Sequence, residues 1–484
     1  MNTPKLPLSA FLLVSSLAAL IALPSTGAAA PNRDIDGDGL DDLVVGIPRD
    51  NDDDDANTGS AAVYLSSAAG FDPMELLVPR VHGGERAGFS VALGDFNCDT
   101  IPDVAMGAPL DQVYNFEEAG RVFIYSSTPD AEAPEGWSYT RSSLIRSDFY
   151  APEEAGDRFG RSVVAADFDG DGCDDLAIGA PGASEQGTTD NTGLAYIARG
   201  TAGGLTWWQN IRPDVAGGED ARFGFSLGRG DMNEDGLDDL LIGAPTWVVD
   251  GETVGAAQVR TFDGNAFVHE LALVTPCDDA ACTNDENWHW FGWSLAAGDF
   301  DGDGHPDLAV GWPGKNPQPE TGTVEIFETD GAGTVIDNRA VSCGSGPNRF
   351  GYAMVSGDVD SDGVDDLVVG APYQTQVGGP NLSGAAFVLY DGLIQRQTLT
   401  PMDYPDMADK QRFGNAVSLG NYLGGGTDLV VGAKRAKDGN IRGGGAYTYG
   451  NVNGVMVTSQ KLGITDFAGE PALAGAHFGG ALSF

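Results

Sequence analysis

Phe159-Gly160-Arg161-Ser162-Val163-Val164-Ala165-Ala166-Asp167-Phe168-Asp169-Gly170-Asp171-Gly172-Cys173-Asp174-Asp175-Leu176-Ala177-Ile178-Gly179-Ala180-Pro181 carries three marks in one stretch. A Phe-Gly pair opens a short apolar run. A ladder of aspartates interrupts it. Gly-Ala-Pro ends a second apolar run. Working outward, Gly-x-Pro or a variant begins at Gly46, Gly107, Gly179, Gly243, Gly311, Gly370 and Gly432, each four residues after an aspartate. Phe-Gly recurs at Phe159, Phe223, Phe291, Phe350, Phe413 and Phe478, with Phe89-Ser90 read as a variant. The steps between these marks are 70, 64, 68, 59, 63 and 65 residues. Such a period marks a repeat architecture.

Within the unit opened by Phe159, strands are expected at Arg161–Ala166, Leu176–Gly179, Ala195–Ile197 and Trp207–Ile211. Four short strands repeated seven times, without helices, predict an all-β fold: a seven-bladed β-propeller of four-stranded antiparallel blades. A β-solenoid would need a much shorter period. The repeats begin inside a loop at Asp34 and stop after a first strand, Phe478–Phe484. Each end has what the other lacks, so the C-terminal strand is expected to complete the first blade and close the ring.

The chain has 484 residues, 26 basic and 71 acidic, for a net charge of −45. Nucleic acid is a poor partner for that surface. With 42% hydrophobic residues the acidity does not signify disorder. Lys5, the apolar run Leu8–Leu23 and the small residues Ala28-Ala29-Ala30 read as a secretory signal peptide. The expected division is a cleaved leader over 1–29 and a propeller over 30–484. A secreted protein follows, periplasmic, surface-bound or extracellular, with no membrane span and expected to be a monomer. Five cysteines, Cys98, Cys173, Cys277, Cys282 and Cys343, leave at least one unpaired within the chain. Cys277 and Cys282 are expected to form a disulfide; the sequence leaves the pairing of the others open.

The aspartate ladders stand between the first and second strands. Their spacing places oxygen side chains at positions 1, 3, 5 and 9, with the backbone carbonyl of position 7 as a fifth donor. In six loops the candidate ligands are Asp34, Asp36, Asp38, Leu40 and Asp42; Asp95, Asn97, Asp99, Ile101 and Asp103; Asp167, Asp169, Asp171, Cys173 and Asp175; Asp231, Asn233, Asp235, Leu237 and Asp239; Asp299, Asp301, Asp303, His305 and Asp307; and Asp358, Asp360, Asp362, Val364 and Asp366. Several hard oxygens in a flexible loop suit Ca2+, whereas Mg2+ demands a tighter octahedron. About six Ca2+ sites are expected. An EF-hand is excluded, because position 12 is Val45, Met106, Ile178, Ile242, Val310 or Val369 rather than a bidentate glutamate. Position 6 is glycine except at Thr100. The seventh loop, read from Gly420 to Asp428, lacks the ladder and is expected to hold no metal. The same blade carries Lys434, Arg435, Lys437 and Arg442, an expected local basic patch.

Together, Phe-Gly, Asp-x-Asp-x-Asp-Gly-x-x-Asp and Gly-Ala-Pro resemble the FG-GAP repeats of integrin α-subunit N-terminal propellers. That resemblance implies calcium loops on one rim, with the loop residues above as ligands, and a partner surface on the opposite face. Six acidic loops are expected here against calcium in only some blades of that family, and no further domain is expected after the repeats. The chain is more similar to free-standing secreted propellers. Arg229-Gly230-Asp231 matches an adhesive tripeptide, but Asp231 belongs to a metal loop. The expected function is an extracellular binding or adhesion module for a protein or glycan; the alternative is a propeller hydrolase or lyase. Trp247, Trp288, Trp290 and Trp312 are candidate anchors or core residues. The five histidines, His82, His269, His289, His305 and His477, fall in no catalytic motif, and no catalytic residue is assigned.

Overall fold

The structure, a computed structural model, describes residues 33–48, 58–79, 85–133, 136–149, 152–184, 190–213, 218, 220–249, 252–274, 290–314, 321–331, 334–343, 348–375, 382–390, 392–393, 395–401, 410–437, 443–463, 466 and 478–483. The proposed leader and the Cys277–Cys282 pair lie outside these residues. So do Trp288, Arg442, His82, His289 and His477. No helix among the described residues is long and apolar enough to cross a membrane.

Seven four-stranded antiparallel sheets form the blades of a propeller. Blade 3 shows the plan: Ser162–Ala166, Asp175–Ala180, Leu194–Arg199 and Thr206–Ile211, paired in that order. The first strands touch one another around a closed ring, which places them nearest the axis. The first two strands of this blade are buried throughout, whereas the fourth is largely exposed. This gradient explains the sequence pattern. Inner strands are buried on both faces and read as continuous apolar runs, while the outer strand alternates.

The two glycine marks form one contact. A Cβ on Gly179 would stand 2.0 Å from the carbonyl oxygen of Gly224 in the next blade. The same approach recurs from Gly46 to Gly88, Gly107 to Gly160, Gly243 to Gly292, Gly311 to Gly351, Gly370 to Gly414 and Gly432 to Gly479. Each Gly-x-Pro glycine therefore packs on the Phe-Gly glycine of the following blade, at a distance no side chain permits. Hydroxyls finish the joint: Ser90, Ser162, Ser226 and Ser294 each donate to the same glycine carbonyl at 2.8–3.0 Å. This contact also corrects one alignment. Ala87-Gly88, not Phe89-Ser90, fills the Phe-Gly position of blade 2, since Ala87 bridges Gly59 as Phe159 bridges Gly120.

The first and last strands share a sheet. Leu43–Ile47 pairs on one side with Ser60–Ser67 and on the other with Ala481–Ser483. Deleting Ala476–Phe484 removes the innermost strand of blade 1 and the glycine joint at Gly432. We expect the truncated protein to lose cooperative thermal unfolding and to aggregate through the opened edges. Size-exclusion chromatography and a melting curve check this, and a soluble monomer with the full-length melting temperature contradicts it.

Candidate metal loops

Each loop is shaped by its own backbone. The position-1 carboxylate turns inward and accepts N–H bonds from the residues that follow. Asp34 accepts from Gly37 at 2.6 Å, Asp38 at 3.1 Å and Gly39 at 2.7 Å. Asp95, Asp167, Asp231, Asp299 and Asp358 repeat the pattern through the position-6 N–H at 2.7–3.1 Å. Position 5 accepts from the N–H of position 7 in all six loops, at 2.9–3.0 Å. Position 6 has positive φ throughout, 90–92° at five glycines and 74° at Thr100, which therefore occupies a conformation that favours glycine.

Position 9 is bonded differently. Both oxygens of Asp42 accept backbone N–H groups at 2.7 Å, one from Ile35 in the loop and one from Ser66 in the third strand. Asp175 does so with Phe168 and Gly200, and Asp307 with Phe300 and Thr329, at 2.9–3.2 Å. All of these aspartates are buried. The seventh blade keeps the clamp without the ladder: Asp428 accepts from Leu423 at 2.7 Å and Asn451 at 2.9 Å. Gly420 pairs with Asp428, as Gly94 pairs with Asp103, so Gly420 ends the strand. That loop starts at Asn421 and is one residue shorter than the sequence reading supposed.

Four clusters bring one oxygen from each of three carboxylates within 4.8 Å of one another: Asp34, Asp36 and Asp42; Asp167, Asp169 and Asp175; Asp299, Asp301 and Asp303; Asp358, Asp360 and Asp366. These clusters can hold a metal ion. Position 5 joins only in the third cluster; Asp38, Asp171 and Asp362 stand outside. Loops 2 and 4 have Asn97 and Asn233 at position 3, so a neutral amide replaces one carboxylate. In loop 3, Arg199 bridges Asp169 at 2.5 Å and Asp171 at 2.9 Å, placing a cation beside the cluster. Burial pushes the carboxyls of Asp42, Asp175, Asp239 and Asp366 up to about 8, and those of Asp103 and Asp307 to about 7; neighbouring carboxylates add to it while backbone donors oppose it. A bound divalent cation reverses that balance.

The position-7 side chains face the preceding loop. Cys173 is joined to Cys98 by a disulfide, closing the pairing the sequence left open. His305 pairs with Glu234. Leu237 and Val364 cover Gly170 and Gly302. Position 8 makes a second tie: Asp174 and Asp365 accept from the N–H of Asp95 and Asp299 at 2.8 and 3.1 Å. Asp41 does the same with Asn421 across the seam at 2.8 Å. Asp238 instead forms a buried ion pair with Arg229 at 2.7 Å. Arg229, Gly230 and Asp231 are all buried, so the tripeptide offers nothing to a partner.

Two further expectations change. Lys434 is buried, with its Nζ 5.8 Å from the Tyr352 ring, and Arg435 and Lys437 are half-buried, so the outward basic patch does not form as supposed. Trp247 and Trp312 belong to the core, because burial leaves them 2% and 7% exposed. Cys343 carries a free thiol.

The FG-GAP repeat matches residues 87–125, 159–197, 223–265, 291–335 and 350–389, beginning at the first strands of blades 2 to 6. The chain is an FG-GAP-repeat β-propeller. It is related, at moderate identity and over part of its length, to integrin α-subunits. Integrin alpha-PS2 of Drosophila melanogaster is 31% identical over 269 residues, which cover 52% of this chain and 17% of that protein. Phosphatidylinositol-glycan-specific phospholipase D of Bos taurus is 31% identical over 390 residues, covering 74% and 45%. The FG-GAP propeller thus spans less than half the length of either relative. A solved exotype rhamnogalacturonan lyase, YesX, aligns over 92% of this chain and 82% of its own at 11% identity, with a TM-score of 0.38.

Two outcomes separate clamp from ligand. Asp428→Asn turns one acceptor into a donor facing an N–H, so it should cost about 2 kcal/mol equally with and without divalent metal. Asp36→Asn, which keeps the oxygen that accepts the Asp38 N–H at 3.1 Å, should lower the melting temperature with Ca2+ and barely change it in chelator. Equal behaviour of the two variants contradicts the assignment. In the metal-free protein the raised carboxyls stabilise the fold while protonated. That contribution is lost as pH rises from the ordinary value of 3.8 through about 8. The melting temperature in chelator should therefore fall from about pH 5 to about pH 9, and saturating Ca2+ should abolish the fall.

Proposed function

We propose that this chain is a secreted, calcium-stabilised binding module, with Ca2+ in six loops and a partner on the opposite face. Positions 1, 3, 5 and 9, with the carbonyl of position 7, supply the ligands in each loop. The observation that carries this reading is the gathering of three carboxylates, with one oxygen of each within 4.8 Å of the others, in the corresponding loops of blades 1, 3, 5 and 6. An all-oxygen set with several carboxylates per site matches a hard divalent cation. Residues 1–29 are the leader in this reading, and the partner is an extracellular protein or glycan.

The match to the phospholipase favours a second reading, a hydrolase, since it runs over more of this chain than the match to alpha-PS2. Against it, the same propeller region also matches integrin α-subunits, so sharing that region does not by itself confer phospholipase activity. The phospholipase activity belongs to a protein more than twice as long as the shared part.

One preparation tests both. Each occupied site adds about 2.7 kcal/mol when free Ca2+ exceeds its dissociation constant a hundredfold. The melting temperature should rise steeply on adding Ca2+ to chelated protein, and titration calorimetry should count about six sites. An unchanged melting curve refutes the calcium reading. Release of product from a phosphatidylinositol-glycan substrate at an enzymatic rate, lost in Asp→Asn loop variants, installs the hydrolase reading instead.

A further inference from the structure

The residue before the Phe-Gly pair, or before its Ala87-Gly88 counterpart, is arginine in five blades: Arg86, Arg158, Arg222, Arg349 and Arg412. All five have φ between 54° and 64°, the left-handed region that disfavours a branched-out side chain and favours glycine or asparagine. This position lies at the end of the innermost strands away from the aspartate loops. Arginine is thus held in a disfavoured conformation five times around one mouth of the propeller, in a chain of net charge −45. Residues kept in sparse backbone regions cluster where function needs them.

A sixth arginine stands inside the ring. Arg161 follows Phe159-Gly160 and is 4% exposed. Its guanidinium lies 4.5 Å from the Phe89 ring and 4.0 Å from the Phe225 ring, sandwiched between two other blades. Phe225, Trp293 and Tyr352 continue the aromatic floor, with ring centroids 4.8 and 5.4 Å apart. Neither terminal nitrogen of Arg161 has a hydrogen-bond partner among the described residues. A buried guanidinium held only by ring faces is costly unless an anion completes it.

The rim repeats the arrangement. Arg349 and Arg412 lie 4.1 and 3.4 Å from the centroid of the Tyr373 ring, and Arg349 is 5.0 Å from that of Trp290. Glu118 bridges Arg158 at 2.9 Å, but no described carboxylate bridges Arg222 or Arg412. Burial lowers the affinity of Arg161, Arg222 and Arg412 for their protons, to about 9 at Arg161, and the neighbouring arginines add to it. Arg161 with Arg158 and Arg222, and Arg412 with Arg349 and Arg435, lie close enough to interact around one arginine-lined cup.

We infer that this cup, floored by Arg161 and rimmed by Arg222, Arg349 and Arg412, binds carboxylate side chains of an acidic peptide segment on a partner protein. Guanidinium forks match carboxylates in bidentate geometry. Tyr373 and Trp290 already carry guanidiniums on their rings, which favours a peptide carboxylate over a stacked sugar there. The inference rests on the binding-module reading and names its site and ligand class.

The test uses the full chain saturated with Ca2+ and a labelled oligo-glutamate peptide, read by fluorescence anisotropy. Wild type should bind, more weakly as salt rises. Arg222→Asn with Arg412→Asn, a change that suits the left-handed backbone, should weaken binding at least about tenfold with an unchanged melting temperature. Removing the exposed outer-strand charges in Arg141→Asn with Arg396→Asn should leave binding intact. No binding by wild type, equal affinity in both double variants, or binding of oligogalacturonate alone overturns the inference. Those results leave the calcium-dependent melting shift untouched, so the two readings fail separately.

Discussion

The buried aspartate at position 9 is the interaction on which the blades' inner strands depend. In blades 1, 2, 3, 5 and 7 it reaches from the loop between the first two strands to the backbone of the third, tying three strands through one side chain. Asp428 shows that this role is independent of metal, because its loop has neither the ladder nor the length of the others, yet both of its oxygens are engaged. The carboxylate satisfies two N–H groups that would otherwise be buried unpaired. The ladder is best understood as an addition to that clamp. Once a carboxylate is fixed at the base of the turn, placing more oxygens at positions 1, 3 and 5 creates a cluster whose mutual repulsion invites a cation.

Much of this was legible in the sequence, because the repeat multiplies a weak signal. A single Asp-Phe-Asp-Gly-Asp-Gly is ambiguous, but seven aspartates each four residues before a glycine imply equivalent places in equivalent blades. The ring closure was legible for the same reason, since a strand missing at one end is present at the other. What stayed hidden depends on neighbours in space. Nothing around Cys98 and Cys173 announces that position 4 of one loop abuts position 7 of the next, although the Leu237–Gly170 and Val364–Gly302 contacts obey the same rule. The fate of Lys434 was hidden too, because a lysine after a strand reads as exposed unless the inward turn toward Tyr352 is known. The arginine before Phe-Gly was visible in the letters. Its meaning needed the positive φ and the axis to which the repeat brings it.

The two ends of the propeller axis concentrate different residue types. At one end, carboxylates crowd into loops stitched by side chains of positions 7 and 8. At the other, arginines lean on aromatic rings around Arg161. The separation follows from the strand order: both ends of every first strand are forced to the axis, so any residue type favoured at a given repeat position is concentrated sevenfold there. Composition alone, dominated by acids, conceals this. The two ends therefore present different surfaces, one crowded with carboxylates and one lined by arginines and aromatic rings.

The seam between blades 7 and 1 is held by the kinds of contact that join other blades, since the bonds that Gln209 accepts from the Phe267 N–H and Gln397 from the Met456 N–H match that of Gln460. Tyr64 donates to the Gly463 carbonyl at 3.1 Å and meets Phe478 edge-on at 6.2 Å. Gln460 accepts from the Phe71 N–H at 3.2 Å, and the Phe71 ring lies 5.4 Å from the buried Tyr422. Asp41 completes the set on Asn421. These contacts join residues hundreds of positions apart, so their loop-closure entropy is the largest in the molecule and they are expected to form last. The same seam faces the one loop without an acidic ladder. The joints at Gln460 and Asp41 therefore carry the pattern of the other blades across the seam, and neither residue is a candidate metal ligand.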